Sequence, residues 1–267
     1  MASKPRILII TGYGLNCEAE SQCAWERAGA EPEQIHLRDL LEKPARLHEF
    51  GGLMFIGGFS FGDHMGSGHV LAARMRHHLA EDLQRFINDG KLILGVCNGF
   101  QIMVKLGLLP GLDGEFFSPK MALIQNDCGA FQNFWIDVRF EQDSLSVFTK
   151  GVDVMPMPIR HGEGKLYAPT AEMLARVESE QCVACRYVNT ESGDVATTFP
   201  ENPNGSVNAI AGLNDPSGRI LGMMPHPEAF LFPENHPTWT ARKAETSVAK
   251  SGAGLKLFEN AVAYLRS

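Results

Sequence analysis

The stretch Lys91-Leu-Ile-Leu-Gly-Val-Cys-Asn-Gly-Phe-Gln-Ile-Met-Val-Lys-Leu-Gly107 constrains the fold more than any other part of this chain. Leu92 to Val96 is apolar without alternation, which reads as a strand covered on both faces. A helix-period segment follows at once. Between them stands Cys97, in the pattern Gly95-x-Cys97-x-Gly99. Small neighbours let a chain turn sharply from strand to helix, and such an elbow holds one side chain above the end of a sheet. A cysteine at a strand end is often only a small buried hydrophobe. At an elbow it gains a chemical setting, because the first turn of the next helix offers unpaired N–H groups and a positive dipole, which favour a sulfur anion and can hold an oxyanion.

The chain ahead of the elbow alternates. Arg6 to Thr11 reads as a short buried strand, and Glu18 to Ala28 as a helix closed by Gly29. Ile35 to Leu37 reads as a second strand, Asp39 to Phe50 as a helical connection, and Gly52 to Ile56 as a third strand. From His69, Leu71, Met75, Leu79, Leu83, Phe86 and Ile87 make one apolar helix face that ends at Asn88-Asp-Gly90. This alternation predicts an α/β fold with a parallel sheet, helices on both faces and right-handed crossovers. Ligands in that architecture bind beyond the carboxyl ends of the strands, where Cys97 and the loop Gly57-Gly-Phe-Ser-Phe-Gly-Asp63 both fall.

Three local patterns in this half fail on inspection. Gly12-x-Gly14-x-x-Cys17 lacks the third small residue of a dinucleotide fingerprint. Gly57 and Gly62 have phosphate-loop spacing, but Asp63-His64 replaces the required lysine and hydroxyl residue. Gly58-x-Ser60-x-Gly62 matches a serine-hydrolase elbow, yet Asp63-His-Met-Gly-Ser-Gly68 would break the helix such an elbow must enter.

Beyond Gly107 the pattern becomes hairpin-rich. Strands are expected near Met121 to Ile124, Phe134 to Phe140, Val195 to Phe199, Val207 to Ala211 and Arg219 to Met224, with turns at Asn202-Pro-Asn-Gly205 and Asp215-Pro-Ser-Gly218. Cys182-Val-Ala-Cys185 reads as strand sequence leading into Arg186-Tyr187-Val188; with no second pair to complete four ligands, no metal site is expected. The last apolar strand runs into Met224-Pro-His226-Pro-Glu228. In extended chain residues two apart face the same side, so the Glu228 carboxylate can orient the His226 imidazole while the other ring nitrogen serves a nucleophile. The two prolines are expected to hold this segment extended. Ala229 to Val248 reads as a polar cover segment and Gly252 to Arg266 as a closing helix.

With 44% hydrophobic and 21% charged residues, the chain can bury a large core. Its net charge of -7 argues against nucleic acid or an anionic membrane as partner. Without a signal h-region or a run long enough to span a bilayer, a cytoplasmic protein with six free thiols is expected. No linker or repeat divides the sequence, so residues 1–267 are read as one domain.

Taken together, Gly-Val-Cys97-Asn-Gly-Phe-Gln101 and Met-Pro-His226-Pro-Glu228 resemble a class I (triad) glutamine amidotransferase, whose fold is flavodoxin-like. The resemblance narrows with the Gly57 to Asp63 loop, Asn126-Asp-x-Gly129-x-Phe131, Pro158-Ile-x-His161-Gly-Glu-Gly164 and Asn202-Pro-Asn-Gly-Ser206 followed by Ile210-Ala-Gly212. These look like the glutaminase subunit of phosphoribosylformylglycinamidine synthase, the PurQ family of purine biosynthesis. Ile56, Cys128, Ala130 and Ala229 depart from its usual residues. The resemblance implies Cys97 as nucleophile, His226 and Glu228 as its acid–base pair, Gly58 and Asn98 as oxyanion donors, and Gln101 as a contact to L-glutamine. It places His161 and Glu163 near the site without a catalytic step. It also implies no cofactor in this chain, ATP and Mg²⁺ on a partner synthetase subunit, and a small bridging subunit in many bacteria. A stand-alone cysteine or serine hydrolase on the same fold is the rival reading.

Overall fold

The computed structural model describes residues 3–241 and 251–267. The cover segment expected over Ala229 to Val248 therefore lies outside the described residues from 242 onward. Eleven named strands are present among them, nine in one sheet with the order β2-β1-β3-β4-β11-β10-β9-β6-β7. The amino-terminal strands are β1 (Arg6–Thr11), β2 (Glu31–His36), β3 (Gly52–Phe55) and β4 (Leu92–Val96). They alternate with α1 (Glu18–Ala28), α2 (Leu37–Glu42), α3 (His69–Asn88) and α4 (Asn98–Leu106). All four strands run parallel, and β11 (Ile220–Met223) joins them parallel to β4.

From β11 the sheet turns antiparallel, through β10 (Ile210–Asn214), β9 (Val183–Val188), β6 (Gln132–Phe140) and β7 (Val154–His161). Two further strands, β5 (Ala122–Gln125) and β8 (Glu163–Tyr167), pair apart from it, and α5 (Ala171–Ser179) lies between β8 and β9. Helix α6 (Leu255–Arg266) closes the chain against α1, with Trp25 edge-on to Phe258 at 5.0 Å. The expected apolar face of α3 is buried in full, from Leu71 through Ile87. Every residue of β4 is buried, each large one worth about 1.5–3 kcal/mol. Among the described residues no helix is long and apolar enough to cross a membrane.

The observed elements differ from expectation at several points. Val195 to Phe199 is not a strand: only Val195 bridges, to Val188, and Phe199 is exposed. Asp39 to Phe50 splits into α2 and a 3₁₀ turn at Pro44–Glu49, as Pro44 cannot continue a hydrogen-bonded helix. Strands β7 and β8 and helix α5 had no expected counterpart. In β7 the prolines at 156 and 158 hide a strand signal, and they are tolerated because β7 forms the edge of the sheet.

One feature of this topology assembles the site. Strands β3, β4 and β11 are parallel neighbours, with Val96 in register with Met223 and Phe55 with Gly95. Their carboxyl ends therefore bring Gly57, Cys97 and the Met224–Glu228 segment to one rim, although more than a hundred residues of chain separate the last from the others.

Candidate active site

Cys97 sits at the corner between β4 and α4 with φ 52° and ψ -109°, a conformation few non-glycine residues adopt. Surrounding contacts fix it. Its N–H donates to the Met223 carbonyl at 2.8 Å, and the Gln101 N–H donates to the Cys97 carbonyl at 3.0 Å. The flanking glycines are steric requirements: a Cβ on Gly95 would lie 2.2 Å from Met103 Sδ, and one on Gly99 would lie 2.0 Å from the Phe55 carbonyl oxygen. Because the second clash is with backbone, Gly99→Ala is expected to cost about 3 kcal/mol or more of stability, measured as a lower urea midpoint. An unchanged midpoint would mean that the elbow is not packed as described.

The His226 imidazole and the Glu228 carboxylate meet at 2.6 Å between Nδ1 and Oε1, both side chains almost wholly buried. The segment reaches this geometry by a different route from the expected extended chain. Pro227–Ala229 is a 3₁₀ turn with Pro227 in its first position, and the Ala229 N–H bonds back to the His226 carbonyl at 3.2 Å. Burial pushes the His226 imidazole toward neutrality, but the Glu228 charge and contacts with Cys97 and Cys17 outweigh it and hold its pKa well above the usual value. Nδ1–H faces the carboxylate, so Nε2 is the ring atom left for a proton in transit. It is buried and has no hydrogen-bond partner.

Around this pair lie the other residues named from sequence. The Cys97 thiol donates to the Arg160 carbonyl oxygen at 3.3 Å, a backbone contact on β7 that sequence could not reveal. Gly58 has φ 139°, and a Cβ there would lie 2.7 Å from Leu15 Cα, so only glycine fits. It bridges Leu15 through bonds made by its neighbours, Asn16 N–H to Gly57 O and Phe59 N–H to Gly14 O, leaving its own N–H outside the ladder. The Asn98 N–H is in the first turn of α4 and has no partner within the helix. The Asn98 side chain ties the loop to the helix, accepting from Ser60 N–H at 3.3 Å and donating to Gln101 Oε1 at 2.9 Å. Gln101 in turn donates to the Glu163 carbonyl, which leaves one amide hydrogen and one lone pair unused.

A cavity of about 310 Å³ is lined by Cys17, Gly58, Phe59, Cys97, Phe131 and His226. A second, of about 240 Å³, shares Phe59 and Phe131 with it and continues to Asp63, Gly162 and Glu163. Ser60 is buried within a 3₁₀ turn rather than raised on an elbow, as the failed helix pattern predicts. His161 and Glu163 do not pair with each other. His161 is held at Nδ1 by Asn126 Oδ1 at 3.2 Å, while Glu163 accepts from the Ser67 N–H and lies 3.5 Å from Lys105 Nζ.

Burial, helped by the charge on nearby His226 and opposed by a backbone bond, lowers the His161 pKa to about 3. Between that value and about 6.5 the unfolded chain binds the proton that the folded chain refuses. Stability should therefore fall as pH drops below about 6.5, by up to about 1.4 kcal/mol per pH unit from this residue. Urea midpoints of wild type and His161→Gln between pH 7 and 4 test this; parallel curves would contradict it.

Cys17, in sequence only the third position of a failed glycine fingerprint, belongs to this site. It stands at the N-terminus of α1, after the loop that follows β1, and lines the same cavity as Cys97. Burial, opposed by the contact with His226, pushes its thiol up to about 11. Its position on the connection from a parallel strand to its helix, at the rim where ligands bind, is the signal the sequence offers.

A cysteine elbow and a histidine–carboxylate pair on adjacent parallel strand ends fit a glutamine amidotransferase. Residues 4–265 match the family model described as the CobB/CobQ-like glutamine amidotransferase domain. Subunit PurQ of phosphoribosylformylglycinamidine synthase from Methanococcus maripaludis is 40% identical over 272 residues, covering 97% of this chain and 98% of that protein. The protein of the same name from Dehalococcoides mccartyi is 41% identical over 266 residues, covering 99% of each. Among solved structures, one described as PurLQS from Thermotoga maritima has a chain that superposes with a TM-score of 0.71 at 30% identity, covering 98% of this chain and 100% of that one. The chain belongs to the PurQ family, the glutamine amidotransferase subunits of phosphoribosylformylglycinamidine synthase.

Proposed function

We propose that Cys97, His226 and Glu228 carry out the glutaminase chemistry of this subunit. The carrying observation is the 2.6 Å Nδ1–Oε1 contact, which leaves a buried, unpartnered Nε2 beside the elbow thiol. Cys97 sulfur attacks as the thiolate paired with the His226 imidazolium, at the side-chain amide carbon of L-glutamine. The N–H groups of Gly58 and Asn98 donate to the oxyanion, at about 3 to 4 kcal/mol per donor. The imidazolium gives its proton to the departing nitrogen, ammonia leaves, and a glutamyl thioester remains. Neutral His226 then takes a proton from water, which attacks the thioester; glutamate is released and the thiol restored. Glu228 holds the tautomer and balances the imidazolium charge through both steps. Gln101 contacts the substrate with its unused hydrogen and lone pair.

The ammonia passes to a synthetase subunit, which binds ATP and Mg²⁺ and converts formylglycinamide ribonucleotide to its amidine, with a small bridging subunit completing the assembly. The chain itself works without a cofactor, as one glutamine amidotransferase type 1 domain over residues 1–267, in the cytoplasm. The single sheet that takes strands from both halves supports the one-domain reading.

This function predicts a chain that hydrolyses glutamine slowly alone and faster when the synthetase and its ribonucleotide substrate are added. Steady-state glutamate release measures it. Full activity of the purified chain without any partner would contradict the division of labour.

A further inference from the structure

Glutamine differs from other primary amides by its α-ammonium, and the proposed reaction assigns that charge no partner. The cavity at Cys97 and the one at Glu163 have two lining residues in common, Phe59 and Phe131, which come from different loops and stand with ring centroids 6.0 Å apart. A substrate reaching from the thiol into the second cavity therefore passes an apolar waist, which suits methylene groups. Past the waist the wall carries two carboxylates, Asp63 and Glu163. They are not equivalent. Glu163 accepts from the Ser67 N–H with both oxygens and has Lys105 Nζ at 3.5 Å, so its charge is balanced. Asp63 is half-buried and accepts a long bond, 3.4 Å, from Asn98 Nδ2. Burial pushes its carboxyl up, opposed by hydrogen bonds from Ser67 and Asn98. Among the described residues the cation that acts on it, Lys105, pairs with Glu163 instead.

We propose that Asp63 is a specificity residue that receives the α-ammonium of the substrate. This rests on the reading of Cys97 as the nucleophile toward glutamine. The reach fits. Asn98, the residue after Cys97, offers its N–H to the oxyanion and extends its own side chain to Asp63, so one short side chain and one hydrogen bond span from the elbow to this carboxylate. In glutamine the amide carbon and the amino nitrogen are separated by two methylenes and the α-carbon, a comparable length. The charge fits as well. Two carboxylates and one lysine leave a single negative charge on the cavity wall, which an ammonium completes through a charge-assisted hydrogen bond. Asn98 also donates to Gln101 Oε1, so the contacts at both ends of the substrate are tied to one residue of the elbow. The backbone of Asp63 is fixed too, at φ 55° with its carbonyl accepting from the Gly66 N–H at 3.0 Å.

Glutaramate, which is glutamine without its amino group, is the probe. Its hydrolysis is compared with that of L-glutamine in the full chain with the synthetase partner present. We expect wild type to favour glutamine by about tenfold to hundredfold in kcat/KM, the range that a hydrogen bond to a charged group supplies. Asp63→Asn should raise KM for glutamine by about tenfold or more with a smaller effect on kcat, and should leave glutaramate nearly unchanged, so the preference shrinks. A preference as large in Asp63→Asn as in wild type would overturn the proposal, because a merely structural role depresses both substrates alike. Equal kcat/KM for the two substrates in wild type would overturn it without any variant. Glutamine turnover that persists in Cys97→Ala would instead refute the nucleophile on which the proposal rests.

Discussion

Replacing Cys97 with alanine is expected to lower glutamine hydrolysis by about 10⁴-fold or more, because no other group at the site can form the thioester. The fold should persist. Cys97 is held by its backbone bond to Met223 and by the glycines on either side, and its side chain fills little of the core. In the assembled enzyme the same variant should still make product from added ammonia. That separates loss of the glutaminase step from loss of the complex. Ser60→Ala is the matched control: buried in its 3₁₀ turn, Ser60 takes no part, and its variant should keep most activity. Activity lost with Ser60→Ala and retained with Cys97→Ala would establish the serine-hydrolase rival instead.

Glu228→Gln should cost about 10²–10⁴-fold in kcat, since an amide cannot balance an imidazolium or enforce the Nδ1–H tautomer. It should also cost stability, because it removes one partner of a buried charged pair, a change typically worth about 3–5 kcal/mol. The sign of the pH dependence follows from His226. Its folded pKa lies above the unfolded one, so the stabilisation is present in full below about 6.5 and is lost as pH rises through the raised folded value. The gap in urea midpoint between wild type and Glu228→Gln should therefore narrow from neutral to alkaline pH. A gap that widens would mean the pair is not an ion pair in the resting protein.

Much of this site was legible in the sequence because its parts obey local rules. A two-sided apolar run, two small residues around a cysteine and a helix period locate the elbow within one residue. Gly57 and Gly58 announce a close backbone approach, and the structure bears it out: a Cβ on Gly58 would lie 2.7 Å from Leu15 Cα. The meeting of Cys97 and His226 was not local. It depends on β11 pairing with β4 across an antiparallel excursion of more than a hundred residues, a topological fact that spacing does not carry. Strand β7 was missed because its prolines mask the period-two signal, and with it the Arg160 carbonyl that receives the thiol. Val195 to Phe199 has strand composition but lies where no ladder continues, so tertiary context overrode propensity. Cys17 is hidden in the sequence because it occupies the third position of a defective glycine fingerprint, which masks a thiol facing the rim.

The account stands or falls on which sulfur reacts. Treating the chain with a diazo-ketone glutamine analogue and mapping the adduct by peptide mass spectrometry answers this directly. A single adduct on the peptide carrying Cys97, formed far more slowly in Glu228→Gln, is the predicted result. An adduct on Cys17 instead, or no adduct in a complex that consumes glutamine, would contradict it.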